Sequence, residues 1–282
     1  MNPARAVSGF VSLRLVGCIL LTQWGPCVLG QSALEQLLHS TIPVFAASVA
    51  DGAGNVYVAG YTTQDVISTT PGAFQRQFVA GSCSDGINGK CAHSFVIKIS
   101  SDGTSVLYAT YLGGSRSDII RTITIDSSGG AYVTSSTTSP DFPVSPAANQ
   151  RSPGSGFIAR ISRDGSTLLA STYVSGEPWN LVLDAAGSVY AAGVARTAAF
   201  TTTAGAFQIT PKGGMDAFAL KMDGGLSTVV YSTLLGGSLD DYASALAVDS
   251  QGNAYVGGFT ASKIGGSVER PFPVAVRWYG LT

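Results

Sequence analysis

Asp51-Gly-Ala-Gly-Asn-Val-Tyr57-Val-Ala-Gly60 is the stretch on which the fold turns, because the chain repeats it. It returns as Asp126-Ser-Ser-Gly-Gly-Ala-Tyr132-Val-Thr-Ser135, as Asp184-Ala-Ala-Gly-Ser-Val-Tyr190-Ala-Ala-Gly193 and as Asp249-Ser-Gln-Gly-Asn-Ala-Tyr255-Val-Gly-Gly258. The opening aspartates stand 75, 58 and 65 residues apart. An Asp-x-x-Gly run reverses the chain: Asp accepts backbone N–H groups inside the turn, and Gly tolerates the positive φ that a tight reversal needs. The Tyr-Val pair that follows reads as a strand.

A second block comes after each of the first three copies: Phe95-Val-Ile-Lys98-Ile, Phe157-Ile-Ala-Arg160-Ile and Phe218-Ala-Leu-Lys221-Met, each leading into an Asp-Gly turn. Alternating runs follow at Val106–Leu112, Leu168–Val174 and Val229–Leu235. The unit closes on Gly113-Gly-Ser-Arg-Ser-Asp118 or Gly236-Gly-Ser-Leu-Asp-Asp241, degraded in the middle copy to Ser175-Gly176-Glu177-Pro178. One unit is therefore four short strands, a to d, with a–b and c–d joined by tight turns. No stretch after residue 42 has helical periodicity; only Ala33-Leu-Glu-Gln-Leu-Leu38 could form a helical turn or two. The chain reads as all-β, and a repeated four-stranded sheet with Gly-rich links is the signature of a β-propeller with antiparallel blades.

The motifs also carry a resemblance. Asp-x-x-Gly-Asn-x-Tyr-Val-x-Gly, Pro71-Gly-Ala-Phe-Gln75, Phe-x-x-Lys-Ile and Tyr-Leu-Gly-Gly-Ser-x-x-Asp resemble the bacterial β-propeller repeat family often called SBBP. Thr203-Ala-Gly-Ala-Phe-Gln208 repeats the central piece, and Ser139-Pro-Asp-Phe-Pro143 resembles the family's proline-containing connection. The resemblance spans about residues 42–275. It implies a propeller fold in exported or surface-associated bacterial proteins and brings no catalytic residue set with it.

The repeats divide the chain at about 42–118, 119–178, 179–241 and a partial unit at 242–275, followed by a tail at 276–282. That is four a–b hairpins and three c–d hairpins, about three and a half blades. Arg270-Pro-Phe-Pro-Val274 parallels Pro140-Asp-Phe-Pro-Val144, which ends the chain inside the fourth b–c connection. An incomplete or open ring is expected, with self-association or a second chain completing it, since an apolar sheet face left in water is unfavourable by about 25 cal/mol per Å².

The first thirty residues read as an export signal: Arg5 and Arg14 without an acid, an apolar run from Leu15 to Leu21, and small residues Val28 and Gly30 before Gln31. Residues 31–41 then form a short linker or helical turn. Leu15-Val-Gly-Cys18 is an alternative lipidation signal, although Arg14 interrupts the apolar region such a signal needs before its Cys. The expected location is secreted, periplasmic or cell-surface, with no membrane span after signal removal. Export leaves Cys83 and Cys91, which bracket a Gly/Ser/Asn-rich loop and suit a local disulfide contributing about 2–3 kcal/mol at most. A metal site that adds His93 lacks a convincing fourth ligand.

Only 12% of the 282 residues are charged, against about a quarter in an average domain, and the net charge is -1. That balance excludes the clustered basic footprint that nucleic acid or an anionic membrane requires. There is no nucleotide-binding loop, and neither His39 nor His93 lies in a hydrolase motif. No cofactor and no metal are expected: each repeating Asp51, Asp126, Asp184 and Asp249 is the sole carboxylate of its turn, whereas calcium wants six to eight oxygens. Lys98, Arg160 and Lys221 are read as solvated or turn-paired, and Tyr57, Tyr132, Tyr190 and Tyr255 as inter-blade packing.

In a propeller the d–a links and b–c connections share one face. That places Asp118, Asp141, Glu177, Asp240 and Asp241, with the Cys83–Cys91 loop, as ligand-face candidates. The competing reading is that these acids cap turns. Two functions follow: a non-catalytic surface scaffold that binds protein or carbohydrate, or a polysaccharide-acting hydrolase or lyase whose carboxylates converge about 5–10 Å apart.

Overall fold

A computed structural model describes residues 43–79, 81–196, 199–262 and 276–277. The export signal, the 31–41 linker with its helical turn and most of the tail lie outside the described residues. Every regular element among those described is a strand. The first sheet consists of β1 (Val44–Ala50), β2 (Val56–Thr62), β4 (His93–Ile99) and β5 (Val106–Leu112), with β3 (Ser82–Ile87) folded into the b–c connection. The second is β6 (Asp118–Ile125), β7 (Ala131–Thr137), β8 (Gly156–Ile161) and β9 (Leu168–Val174). The third is β10 (Glu177–Leu183), β11 (Val189–Ala195), β12 (Asp216–Met222) and β13 (Val229–Leu235). A fourth holds β14 (Asp241–Val248), β15 (Ala254–Thr260) and β16 (Val276–Arg277). All pairings are antiparallel and follow chain order, as four-stranded blades require.

β16 adds a short third strand to the fourth sheet, with Arg277 opposite Tyr255 and Val276 opposite Val256. In the complete sheets Lys98, Arg160 and Lys221 hold that same register position opposite Tyr57, Tyr132 and Tyr190. The motif is hidden in sequence because Val274 stands where the other copies begin with Phe.

Strand a of every sheet carries a bulge: the pairing skips Ala46, Arg121, Trp179 and Ser244. The bulge explains the glycine of Tyr-Val-x-Gly. A Cβ on Gly60, Gly193 or Gly258 would lie 1.9, 1.9 or 1.8 Å from the carbonyl oxygen of Val44, Glu177 or Tyr242 on the bulged strand. The second sheet holds Ser135 there, fully buried, with a hydroxyl that has no hydrogen-bond partner among the described residues.

Successive sheets pack face to face. Tyr57, Val96 and Tyr108 of the first meet Val133, Phe157 and Tyr173 of the second in one cluster, and Tyr132 and Ile158 of the second meet Leu181, Phe218 and Leu234 of the third in another. Ala192 and Leu235 meet Ala243 and Val256 across the third interface. No hydrophobic cluster among the described residues joins the first sheet to the fourth, so the series is an open arc. The a strands run against one another along its inner edge, β1 with β6, β6 with β10 and β10 with β14.

The b–c connections depart from expectation. Rather than staying on the face of the d–a links, those of the first three sheets run along the outer edge of their own strand d. Thr70, Ser145 and Thr203 donate their amides to Ala109, Ser171 and Ser232, while Tyr111, Tyr173 and Leu234 donate to Gln75, Gln150 and Gln208. Strand d is the edge of each sheet, with one row of backbone groups unpaired, and these connections pair it. Two of them reach onward to the next sheet: the Phe74 amide donates to the Gly165 carbonyl and the Asn149 amide to that of Leu226.

Candidate functional site

The turn side of the arc is uniform. Asp51, Asp126, Asp184 and Asp249 each accept the amides two and four residues on, for example Ala53 at 3.0 Å and Asn55 at 2.9 Å from Asp51. In three sheets the strand-c cation then joins its own turn: Lys98 Nζ lies 3.3 Å from Asp51, Arg160 Nη2 2.6 Å from Asp126 and Lys221 Nζ 3.5 Å from Asp184. Each cation also sits over the ring of Tyr57, Tyr132 or Tyr190. Those tyrosines donate to carbonyls of the following sheet, at Gly129, Gly224 and Gly252. The cations are turn-paired and the tyrosines do join blades, while Tyr255 donates to Asp249 of its own turn. Burial pulls the Asp51, Asp126 and Asp184 carboxyls upward, but the hydrogen bonds outweigh it and hold them below the ordinary value.

On the link side the candidate acids are likewise engaged. Asp118 is fully buried at the start of β6 and accepts from the Gly114 amide at 2.8 Å, Thr137 Oγ1 at 2.5 Å and Ser139 Oγ at 2.8 Å. Burial pushes its carboxyl up to about 6. Asp241 repeats the device at β14, accepting from the Gly237 amide at 2.7 Å and Ser262 Oγ at 3.3 Å. Asp141 accepts the Ser115 amide and hydroxyl, both at 2.8 Å, and the amide bond chiefly holds it below the ordinary value. Asp240 accepts the Met215 amide at 3.0 Å, and Glu177 pairs with Arg196 Nε at 2.6 Å. Asp118 and Asp141 therefore meet at one d–a link, on the amides of Gly114 and Ser115, where the Asp141 charge adds to the raising of Asp118. Asp240 and Asp241 sit at the last link, and Glu177 pairs with Arg196.

Two further buried groups lie beside these acids, of which only Asp216 went unnoticed in the sequence. Asp216, first in β12, accepts from Gln208 Nε2 and the Lys212 amide and flanks Gly236 together with Asp241. His93, its equivalent in β4, flanks Gly113 together with Asp118 and stacks edge-on against Phe78. Burial lowers the imidazole below its ordinary value, against a smaller opposing effect of the Val79 backbone. Cys83 and Cys91 form a disulfide with Cα atoms 5.0 Å apart, so neither thiol is free to join His93 as a metal ligand. A shallow groove of about 300 Å³ lies beside these links, lined by Phe74, Gln75, Gly114, Asp141 and Pro143.

The inner edge of the arc escaped the sequence reading altogether. At the bulges, where the first and fourth sheets have Ala46 and Ser244, the second and third have Arg121 and Trp179. The Arg121 guanidinium lies 5.3 Å from the centre of the Trp179 ring system, and Trp179 stacks on Tyr242 of the fourth sheet at 5.7 Å and 16°. A search for unequal residues at equivalent positions would have found them, had the bulge been visible.

The beta-propeller repeat SBBP matches residues 107–143 and 230–265. Each matched stretch runs from a strand d through a Gly-Gly-Ser-x-x-Asp link into the a–b hairpin of the next sheet. The chain thus carries this repeat at two places, in agreement with the all-β sheets. No curated protein matches the chain.

Proposed function

We propose that this chain is an exported, non-catalytic β-propeller scaffold that binds protein or carbohydrate at the cell surface. What supports the reading is the state of its acids. Asp118, Asp141, Glu177, Asp240 and Asp241 each satisfy backbone amides, hydroxyls or a guanidinium of the scaffold. Asp118 and Asp241 are buried as well, and a carboxylate whose oxygens are engaged by the scaffold in this way positions a link rather than facing a substrate. The presented surface is then the connections and the inner edge, held on a rigid frame. Export fits the disulfide, which persists in oxidising compartments.

The test is an array of glycans and surface proteins probed with the purified chain, run beside hydrolysis and lyase assays on the same glycans. Saturable binding without turnover is expected; turnover abolished by Asp118→Asn or Asp241→Asn would overturn the reading. Association with a second copy or another chain belongs to the same proposal, and light scattering that finds a stable monomer would remove it.

A further inference from the structure

Among the described residues the fourth sheet alone lacks a strand d: β14, β15 and β16 pair in order, and no described strand lies beyond β16. Strand d has a sequence of its own. It reads Val106-Leu-Tyr-Ala-Thr110-Tyr111 in the first sheet, Leu168-Leu-Ala-Ser-Thr172-Tyr173 in the second and Val229-Val-Tyr-Ser-Thr233-Leu234 in the third. The threonine is buried, and its Oγ1 accepts the amide of Gln75, Gln150 or Gln208. Three residues before it stands an exposed aliphatic side chain, Leu107, Leu169 or Val230, and directly after it a buried Tyr or Leu.

The pattern stands once more in the chain, ahead of β1, as Leu37-Leu38-His-Ser-Thr41-Ile42, and Pro43 ends it because proline has no amide to give a ladder. Both leucines, the serine and the threonine match the copy of the second sheet. Residues 37–42 lie outside the described residues; their sequence and their place carry the argument. In the repeat, strand d of one sheet leads into strand a of the next, β5 into β6, β9 into β10 and β13 into β14. A strand d ahead of β1 therefore belongs to a sheet that precedes the first, and the sheet lacking one is the fourth. The fourth sheet of the same copy could take it only if the arc closed on itself, and no hydrophobic cluster among the described residues joins those two sheets.

We propose that residues 37–42 of a second copy add to β16 as strand d of the fourth sheet. Leu37 and Leu38 then belong to a strand and not to a helical turn. The register of the repeat sets Ser40 opposite Val276 and His39 opposite Arg277, as Ser232 faces Leu220 and Tyr231 faces Lys221. The exchange lays the first sheet of one copy on the outer side of the other's fourth sheet. Val256 of β15 faces the third sheet, and Phe259, on the opposite side of that strand, is 58% exposed. Made in both directions, the exchange joins two arcs of four sheets, and about eight blades is the upper end of the usual propeller range, which a third copy would exceed. The proposal rests on the association in the scaffold reading and names its partner and its strand.

The experiment co-expresses two full chains, one carrying Ser40→Cys and the other Val276→Cys, each with Cys18→Ser and Cys27→Ser. Together they should give a disulfide-linked dimer on non-reducing gels that neither gives alone. Thr41→Pro, which removes an amide from the ladder, should weaken association at least about tenfold in sedimentation velocity while keeping the wild-type strand signal in circular dichroism. If Thr41→Pro fails to fold, the cysteine pair still decides. A wild type that stays monomeric, a mixture without the cross-link, or full association in Thr41→Pro would overturn the proposal. A dimer without the cross-link would overturn the strand exchange and leave association through another surface standing. A monomer that holds ligands on the array would overturn it and leave the binding scaffold standing.

Discussion

The turn side and the inner edge are built from the same strands and behave in opposite ways. On the turn side, three sheets repeat one arrangement of Asp, cation and Tyr, down to the tyrosine hydroxyl donated to the next sheet. On the inner edge the backbone repeats its bulge four times while the side chains change from Ala to Arg to Trp to Ser. Uniform side chains mark the contacts that hold sheets together. Unequal side chains on a uniform backbone mark positions that the repeat's own packing does not dictate.

The contrast between packed and open positions can be broken most sharply at the c–d turns. Gly103 and Gly165 have nearly identical φ, 72° and 73°, but a Cβ on Gly103 meets nothing within 4 Å, whereas on Gly165 it would lie 2.4 Å from the Tyr108 ring. Gly103→Ala should cost about 1–2 kcal/mol of left-handed strain, and Gly165→Ala at least about 3 kcal/mol, since the first sheet must shift as well. Urea unfolding of both variants measures this, and equal costs would mean that the turn does not press on its neighbour.

On the link side, Asp118 and Asp141 should titrate with opposite signs. The Asp118 carboxyl, raised from 3.8 to about 6 by burial, holds its proton longer in the folded state. Its contribution to stability therefore falls as pH rises from about 4 to 6, by about 3 kcal/mol in all. Asp118→Asn should gain on the wild type across that window. Asp141, held low by Ser115, contributes stability at neutral pH that is lost as pH falls through its depressed value, so Asp141→Asn should lose ground as pH rises. Unfolding curves at pH 4 and pH 7 decide it for Asp118→Asn, and curves extended from pH 4 to below pH 3 decide it for Asp141→Asn.

Smaller effects sharpen the turn-side pattern. Tyr57→Phe removes the donor to Gly129 and the partner of Lys98 Nζ at 2.6 Å, and should cost about 1–1.5 kcal/mol by thermal or urea unfolding. Arg160→Gln, at a partly exposed pair, should cost under about 1 kcal/mol and less still in high salt. A larger loss at Arg160 than at Tyr57 would show that the ion pair, and not the tyrosine, fastens the sheets.

The elements were legible because a local chemical need fixes each signal. Asp-x-x-Gly is needed by the turn it makes, Tyr-Val-x-Gly by the carbonyl that presses on the glycine, and the two cysteines by their short separation. The course of the b–c connections was not legible. Thr70 and Gln75 grip strand d through backbone groups that any residue possesses, and only the Thr and Gln side chains, in the bonds of Thr70 Oγ1 and Gln75 Oε1, leave a trace in the motif. β16 was hidden by one Val in place of Phe. Arg121 and Trp179 were hidden because a bulge is a backbone event with no residue of its own. The acids were found, but their engagement depends on partners from other strands, such as Thr137 and Ser139 for Asp118, which spacing alone does not connect.

The connections laid along each strand d also bear on solubility. Proteins commonly blunt an exposed sheet edge with lysines, and a chain with 12% charged residues has few to place there. This one occupies the middle of those edges with its own backbone, which leaves a neighbouring molecule less unpaired ladder on the outer rim of the first three sheets to extend into an aggregate. Protection of a charge-poor surface against edge-to-edge pairing thus comes from where the chain runs rather than from charge.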